Sequence, residues 1–307
     1  MCSSDLDPVA LGRFLPRGHG FNVHLAPVPA GRATAPASNA SLGWHVIDRA
    51  GVLESPVPAT TPFLLARYGV LAPGSPLPDT APARSRVVFI LDGRGHSASP
   101  RGAVSWSAGD VLALSGHDPW VHRAEVPSRL WTVDDGPLLA GLGVVPDPGE
   151  PARPVRFVAE ALAAALATRR EEAIRQDLGS DGRLPAVRSR GRALTLGSAD
   201  REAERTLLPT LSVHLNTVEP GEAQAPHRHA AAAIGLVLSG EGCWSEVDGA
   251  RLAWSRHDTL ITPSFALHAH GNDGEATGCV LLVQDGPLHY LGRTMRFESV
   301  PAQEESR

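Results

Sequence analysis

Residues 226–240 read PHRHAAAAIGLVLSG, two histidines two positions apart followed by a short apolar run that ends at Gly240. In a β-strand, residues two apart point to the same side, so His227 and His229 can converge on one point while Arg228 faces away. A second pair follows in DTLITPSFALHAHGN, residues 258–272, where His268 and His270 have the same spacing. Imidazole suits Fe, Zn, Cu and Ni. Two such pairs, each beside a turn, point to a metal site built inside a β-barrel.

Outward from this stretch, the chain is a series of short apolar segments bounded by Gly, Pro, Asp and Ser. FLLARYGVL, RVVFILDG, AVSW, DVLALSG and RLWTVDDG have strand length, as do TLSVHLNTV, IGLVLSGEG, CWSEVDG, ARLAW, DTLITPS and CVLLVQDG. The two groups echo each other in order. LARYGVLAPGS answers LSVHLNTVEPGE, VVFILDGRG answers GLVLSGEG, and LWTVDDGPLLAGLG answers LLVQDGPLHYLG. That pattern predicts a duplicated all-β unit, each copy large enough to close its own barrel or sandwich. Between the copies, residues 156–178 (RFVAEALAAALATRREEAIRQDL) have helix-forming composition, with Leu162, Leu166 and Ala173 on a common face. The expected organisation is an extended amino-terminal arm over 1–58, a first β domain over 59–150, a helix and connecting loop over 151–205, a second β domain over 206–298 and a tail over 299–307.

The composition narrows the function. Of 307 residues, 42% are apolar and the formal charge is −5, which describes a globular chain with no electrostatic pull toward nucleic acid or an anionic membrane. No apolar run reaches the roughly 20 residues that span a bilayer, and the amino terminus lacks signal-peptide character. A cytoplasmic protein is expected. The three cysteines, Cys2, Cys243 and Cys279, fit neither a CxxC metal pattern nor a disulfide framework. All 28 basic residues are arginine, so Schiff-base chemistry, a pyridoxal phosphate anchor and a P-loop lysine are excluded together.

The pattern Gly221-x5-His227-x-His229 ending at Gly240, with Pro263, His268 and Asn272, resembles the two cupin motifs. Three positions depart from it. Ala233 stands where the first motif has glutamate, and His257 and Phe265 stand where the second has glycine. The lost glutamate, with LLPTLSVHLNTVEPGE upstream, is similar to the bicupins of the gentisate 1,2-dioxygenase family and its salicylate and hydroxynaphthoate relatives. The resemblance is good from about residue 207 to 292 and weaker, though in register, from 62 to 145. It implies two jelly-roll domains, Fe(II) held by His227, His229 and His268 without a carboxylate, and O2 as co-substrate. In the relatives the catalytic iron sits in the first cupin. Here that copy has PGSPLPDTAPA at the first-motif positions, leaving Asp79, His117 and His122 as polar remnants and predicting no metal.

Other residues are candidates for the same cavity. His270 is an acid–base group near bound oxygen, a partner of the ligands, or a satisfied strand histidine. His214 and Asn216, two apart, can both point inward, Asn216 where the relatives have a substrate-side glutamine. Gln284 lies on a late strand, and Trp244 is either a pocket wall or a core aromatic. A carboxylate substrate calls for an arginine, yet Arg228 and Arg256 read as outward or loop-borne. Three functions follow from the sequence. The first is a mononuclear non-haem iron dioxygenase acting on a chelating small molecule such as a hydroxylated aromatic carboxylate. The second is a non-oxidative bicupin enzyme using Mn, Zn or Ni; the third is a non-catalytic ligand-binding cupin. A homodimer or homotetramer is expected.

Overall fold

The computed structural model describes residues 27–116, 118–147, 153–179, 185, 187–188, 192–204 and 206–300. His117, residues 1–26 of the arm and residues 301–307 of the tail lie outside the described residues. The fold is all-β, with two jelly-roll barrels: among the described residues the first pairs a six-stranded sheet with a four-stranded one, and the second a six-stranded sheet with a seven-stranded one. In the first barrel the large sheet runs, in spatial order, Val155–Phe157, Val111–Ser115, Ser85–Asp92, Ser128–Asp134, Leu65–Leu71 and Gly43–Val46. Its partner sheet is Pro76–Asp79, Trp120–Ala124, Arg94–Ser99 and Gly102–Ser107. The second barrel repeats the plan with Gly31–Ala33, Thr259–Thr262, Ala233–Ser239, Gly278–Gln284, Ser212–Val218 and Arg192–Leu196.

The two large sheets pack face to face. Tyr68, Phe89 and Trp131 of one meet Leu215, Ile234 and Leu281 of the other in a single apolar cluster. Every residue of Leu65–Leu71 is therefore buried, alternate side chains facing their own barrel or the other one. This is why the strands read as continuous apolar runs rather than as the alternation of a half-exposed sheet. A polar knot sits within this contact. The Tyr68 hydroxyl donates to the His257 carbonyl (2.7 Å) and the Trp131 indole donates to Thr259 Oγ1 (2.8 Å). Thr259 in turn donates to Tyr68 Oη at 2.7 Å, so each buried polar group has a partner.

Both barrels have their outer strands capped by connecting segments. Gly31–Ala33 pairs with Thr259–Thr262 of the second barrel, and Val155–Phe157 pairs with Val111–Ser115 of the first. The interdomain helix spans Ala159–Asp177, three residues later than the sequence pattern starts it. Asp110 explains the shift. Its carboxylate accepts the Arg156 guanidinium (2.8 Å) and the Ala159 amide (2.9 Å), holding Arg156 in the edge strand and starting the helix after it. No helix among the described residues is long and apolar enough to cross a membrane.

Candidate metal centre

His227 and His229 lie on the strand His227–His229 and His268 on the antiparallel strand His268–Asn272, with His227 directly opposite His268. One ring nitrogen from each lies within 4.8 Å of the others. The backbone fixes their tautomers. Nδ1 of His227 faces the Ala225 carbonyl at 2.9 Å, Nδ1 of His229 the Ala231 carbonyl at 2.8 Å, and Nδ1 of His268 the Ala266 carbonyl at 2.9 Å. A carbonyl oxygen can only accept, so each Nδ1 carries the proton and each Nε2 keeps its lone pair. Burial lowers all three pKa values, and for His268, with the His270, His227 and His229 rings beside it, pushes the value down to about 2. Three uncharged imidazoles with free, convergent lone pairs are the donor set for a borderline divalent metal.

His270 has the opposite tautomer. Its Nδ1 lies 2.8 Å from Ser245 Oγ, which also accepts the Trp254 indole N–H at 2.8 Å. Indole is a donor only. The serine proton has one remaining acceptor among the described contacts, His270 Nδ1, so the His270 proton sits on Nε2 and faces the cavity. Burial pushes its pKa down to about 3, which keeps the ring neutral.

The histidines line a cavity of about 280 Å³ together with Ala193, His214, Asn216, Gln224, Ala233, Thr262, Leu282, Gln284 and Phe297. Of the residues expected from sequence, His214, Asn216, Gln284 and His270 are there. His214, its Nδ1 3.0 Å from Thr195 Oγ1, is pushed down to about 4 by burial and by His229. Asn216 keeps a buried side-chain oxygen without a partner. Trp244 is a correction. Ser245 faces inward to His270, so strand alternation turns Trp244 outward, where the Arg251 guanidinium lies 4.1 Å from its ring centroid. Among the described residues no arginine lines the cavity, and Arg228 pairs with Glu298 at 3.6 Å. Gln224, Thr262 and Phe297 are additions that the sequence reading missed. Thr262 was accessible to it, because it directly precedes the motif proline Pro263; its place opposite Ala233 comes from the strand register.

Residues 214–284 match the Cupin domain family. The chain is 39% identical to a gentisate 1,2-dioxygenase of Streptomyces sp over 83 residues, 27% of this chain and 20% of the relative. A Ralstonia sp gentisate 1,2-dioxygenase is 41% identical over 71 residues, covering 23% and 20%. The 1-hydroxy-2-naphthoate 1,2-dioxygenase of Nocardioides sp. (strain KP7) is 40% identical over 81 residues, covering 26% and 20%. The chain thus spans about a fifth of the length of the curated relatives it matches. Among solved structures, salicylate 1,2-dioxygenase from Pseudaminobacter salicylatoxidans superposes with a TM-score of 0.65 at 16% identity, over 80% of this chain and 77% of that one. The fold resemblance therefore extends over both barrels.

Two departures from the cupin motifs have a structural consequence. His257 (φ 70°) and Phe265 (φ 62°), which replace motif glycines, keep the left-handed backbone that glycine adopts without strain. The Trp254–Ser245–His270 contact of the second barrel also has a counterpart in the first. Trp106, Ser97 and His122 form the same triad as Trp254, Ser245 and His270, with identical sequence separations of 9 and 25 residues. Matching strand registers then place Asp79 at the His227 position, Trp120 at His268, Arg86 at Ala233, Asp134 at Gln284 and Arg67 at His214. Arg67 pairs with Asp79 (3.0 Å) and Asp134 (2.5 Å), and Arg86 pairs with Asp79 (2.9 Å). All four side chains are buried. Burial opposes ionisation of Asp79, but Arg86, His122 and Arg67 hold its carboxyl below the ordinary value. His122 Nε2 faces Asp79 Oδ2 at 3.8 Å, so in this barrel the same histidine tautomer looks at an anionic oxygen.

Proposed function

We propose that the chain is a mononuclear non-haem Fe(II) dioxygenase acting on a chelating small molecule, such as a hydroxylated aromatic carboxylate, with His227, His229 and His268 holding the iron. The observation that carries this reading is the set of three Nε2 lone pairs, fixed by three backbone carbonyls, around a cavity in which Ala233 replaces the carboxylate ligand. Three neutral ligands leave a divalent charge uncompensated by the protein, and an anionic bidentate substrate compensates it. Iron supplies Lewis acidity and an electron path between the chelated ring and O2. Manganese, zinc or nickel would fit the same nitrogens, but the relatives that match the cupin are dioxygenases by name.

The chain's own residues orient and polarise the substrate. His270, locked by Ser245 and Trp254, donates Nε2–H to an anionic oxygen in the cavity, as His122 faces Asp79 in the first barrel. Asn216, Gln224 and Gln284 supply neutral donors and acceptors for the remaining polar atoms, while Ala193 and Leu282 give dry wall. With no cation among the described lining residues, the substrate's negative charge is met at its chelating oxygens. The first barrel, residues 59–150, serves as a metal-free scaffold, in which Asp79 of the ion-pair network and Trp120 stand at the positions of His227 and His268 in the second, residues 206–298.

Oxygen uptake tests the proposal. Protein reconstituted anaerobically with Fe(II) should consume O2 on addition of gentisate, salicylate or 1-hydroxy-2-naphthoate and form a ring-opened product. One iron per chain with no uptake from any member of a wider panel of aromatic chelators would contradict it.

A further inference from the structure

Among the described residues Phe297 is the cavity's only carbocyclic ring, and nothing in the sequence marks it. It lies on the short strand Phe297–Ser299, which pairs antiparallel with the ligand strand so that His229 is opposite Phe297 and His227 opposite Ser299. The strand is tied at both ends, by the Ala230 amide to the Arg296 carbonyl (3.0 Å) and the Val300 amide to the Pro226 carbonyl (2.8 Å). The Phe297 ring stacks on His227 with centroids 5.2 Å apart and planes inclined by 26°. Even so it remains 57% exposed.

Held this firmly and open to water at the mouth of a cavity lined by histidine, Asn and Gln, this large apolar side chain offers a fixed face to whatever occupies the site. What covers it is constrained. The cavity, about 280 Å³, lies at the small end of ligand pockets and its other apolar walls are Ala193, Ala233 and Leu282. A molecule whose two oxygens sit at the three histidines therefore extends past Phe297 as it leaves the site. A planar ring there meets a fixed phenyl face, whereas an aliphatic chain gains little from it.

We infer that Phe297 is a specificity-determining residue, the wall that selects a flat aromatic ring among chelators with the same donor oxygens. The inference rests on the chelating-substrate reading above and adds the selection of its ring. Among the described residues no cationic side chain lines the cavity, and what Phe297 itself contributes is shape and stacking, not charge.

The test is calorimetric binding to Fe(II)-loaded protein without O2, comparing salicylate with lactate, an aliphatic 2-hydroxy acid. Phe297→Ala should weaken salicylate by several-fold, up to about tenfold, the range of one aromatic pair. Lactate should change by less than about twofold, and iron per chain should be unaltered. Phe297→Leu, which keeps apolar bulk without the ring, should fall between. Equal weakening of both ligands, or of neither, overturns the inference while leaving the chelating-substrate reading in place. So does loss of iron in Phe297→Ala, which would make the ring a packing support for His227. If the unaltered iron-loaded protein binds neither ligand, the broader reading falls and this one with it.

Discussion

Replacing Asp79 with Asn keeps the shape of the first barrel's interior and removes one charge from it. At present two guanidiniums, Arg67 and Arg86, face two carboxylates, Asp79 and Asp134, with side chains no more than 6% exposed. The charges sum to zero. In Asp79→Asn, Arg67 keeps its 2.5 Å pair with Asp134, but Arg86 is left with a 3.8 Å approach to the same carboxylate and a 3.0 Å hydrogen bond to the Ala81 carbonyl. One positive charge then remains unpaired inside the barrel, and removing one partner of a buried pair costs about 3–5 kcal/mol. For a domain-sized protein this is a fall in Tm of roughly 6–20 °C by calorimetry. A second variant isolates the cause. Asp79→Asn combined with Arg86→Met restores neutrality and should recover most of the loss, because a buried ion pair and well-packed apolar groups are close in free energy. Iron content of the second barrel should be the same in all three proteins. A cost below about 1 kcal/mol for Asp79→Asn, or a double variant no more stable than the single one, would refute the charge-balance account.

Ser245→Ala leaves the Trp254 indole N–H and His270 Nδ1 without their partner in the interior, at about 1–3 kcal/mol for each orphaned group. Long-range ¹H–¹⁵N spectra should report His270 protonated on Nε2 in the metal-free parent, and a parent spectrum with the proton on Nδ1 would contradict the tautomer assignment. Asp285 gives a pH signature of known sign. Burial raises its carboxyl from 3.8 to about 7, against the Ala232 amide that it accepts at 2.8 Å. Between those values the folded protein keeps a proton that the unfolded chain has released. This contribution is therefore complete below pH 3.8 and is lost as pH rises to 7, by up to about 1.4 kcal/mol per unit. Urea midpoints of the parent, relative to Asp285→Asn, should decline from pH 4 to 7 and level off above; a difference that stays constant would show the group is ordinary.

Most of the fold could be read in the sequence because its strands are buried on two faces. Runs such as RVVFILDG and GLVLSGEG are continuous for that reason, and their order of repetition exposes the duplication. The three ligand histidines were legible because period-two spacing is itself the geometry of a strand. Trp244 was not, since CWSEV has no polar alternation to fix its phase, which is set by the Ser245–His270 contact. Phe297 enters the site only through a strand register 68 residues away from His229 in sequence, and no local pattern carries that information. The arginines of the first barrel lay between these cases. Setting LARYGVLAPGS on LSVHLNTVEPGE puts Arg67 on His214, but a charge at the start of an apolar run reads locally as a strand end.

Metal stoichiometry tests the central claim most directly. Protein purified without chelator and loaded anaerobically with Fe(II) should hold one iron per chain by mass spectrometry. His227→Ala with His229→Ala should hold none while keeping its β-sheet circular dichroism, and Asp79→Asn should still hold one. Iron retained by the double histidine variant, or two irons per chain in the parent, would contradict a single site at His227, His229 and His268.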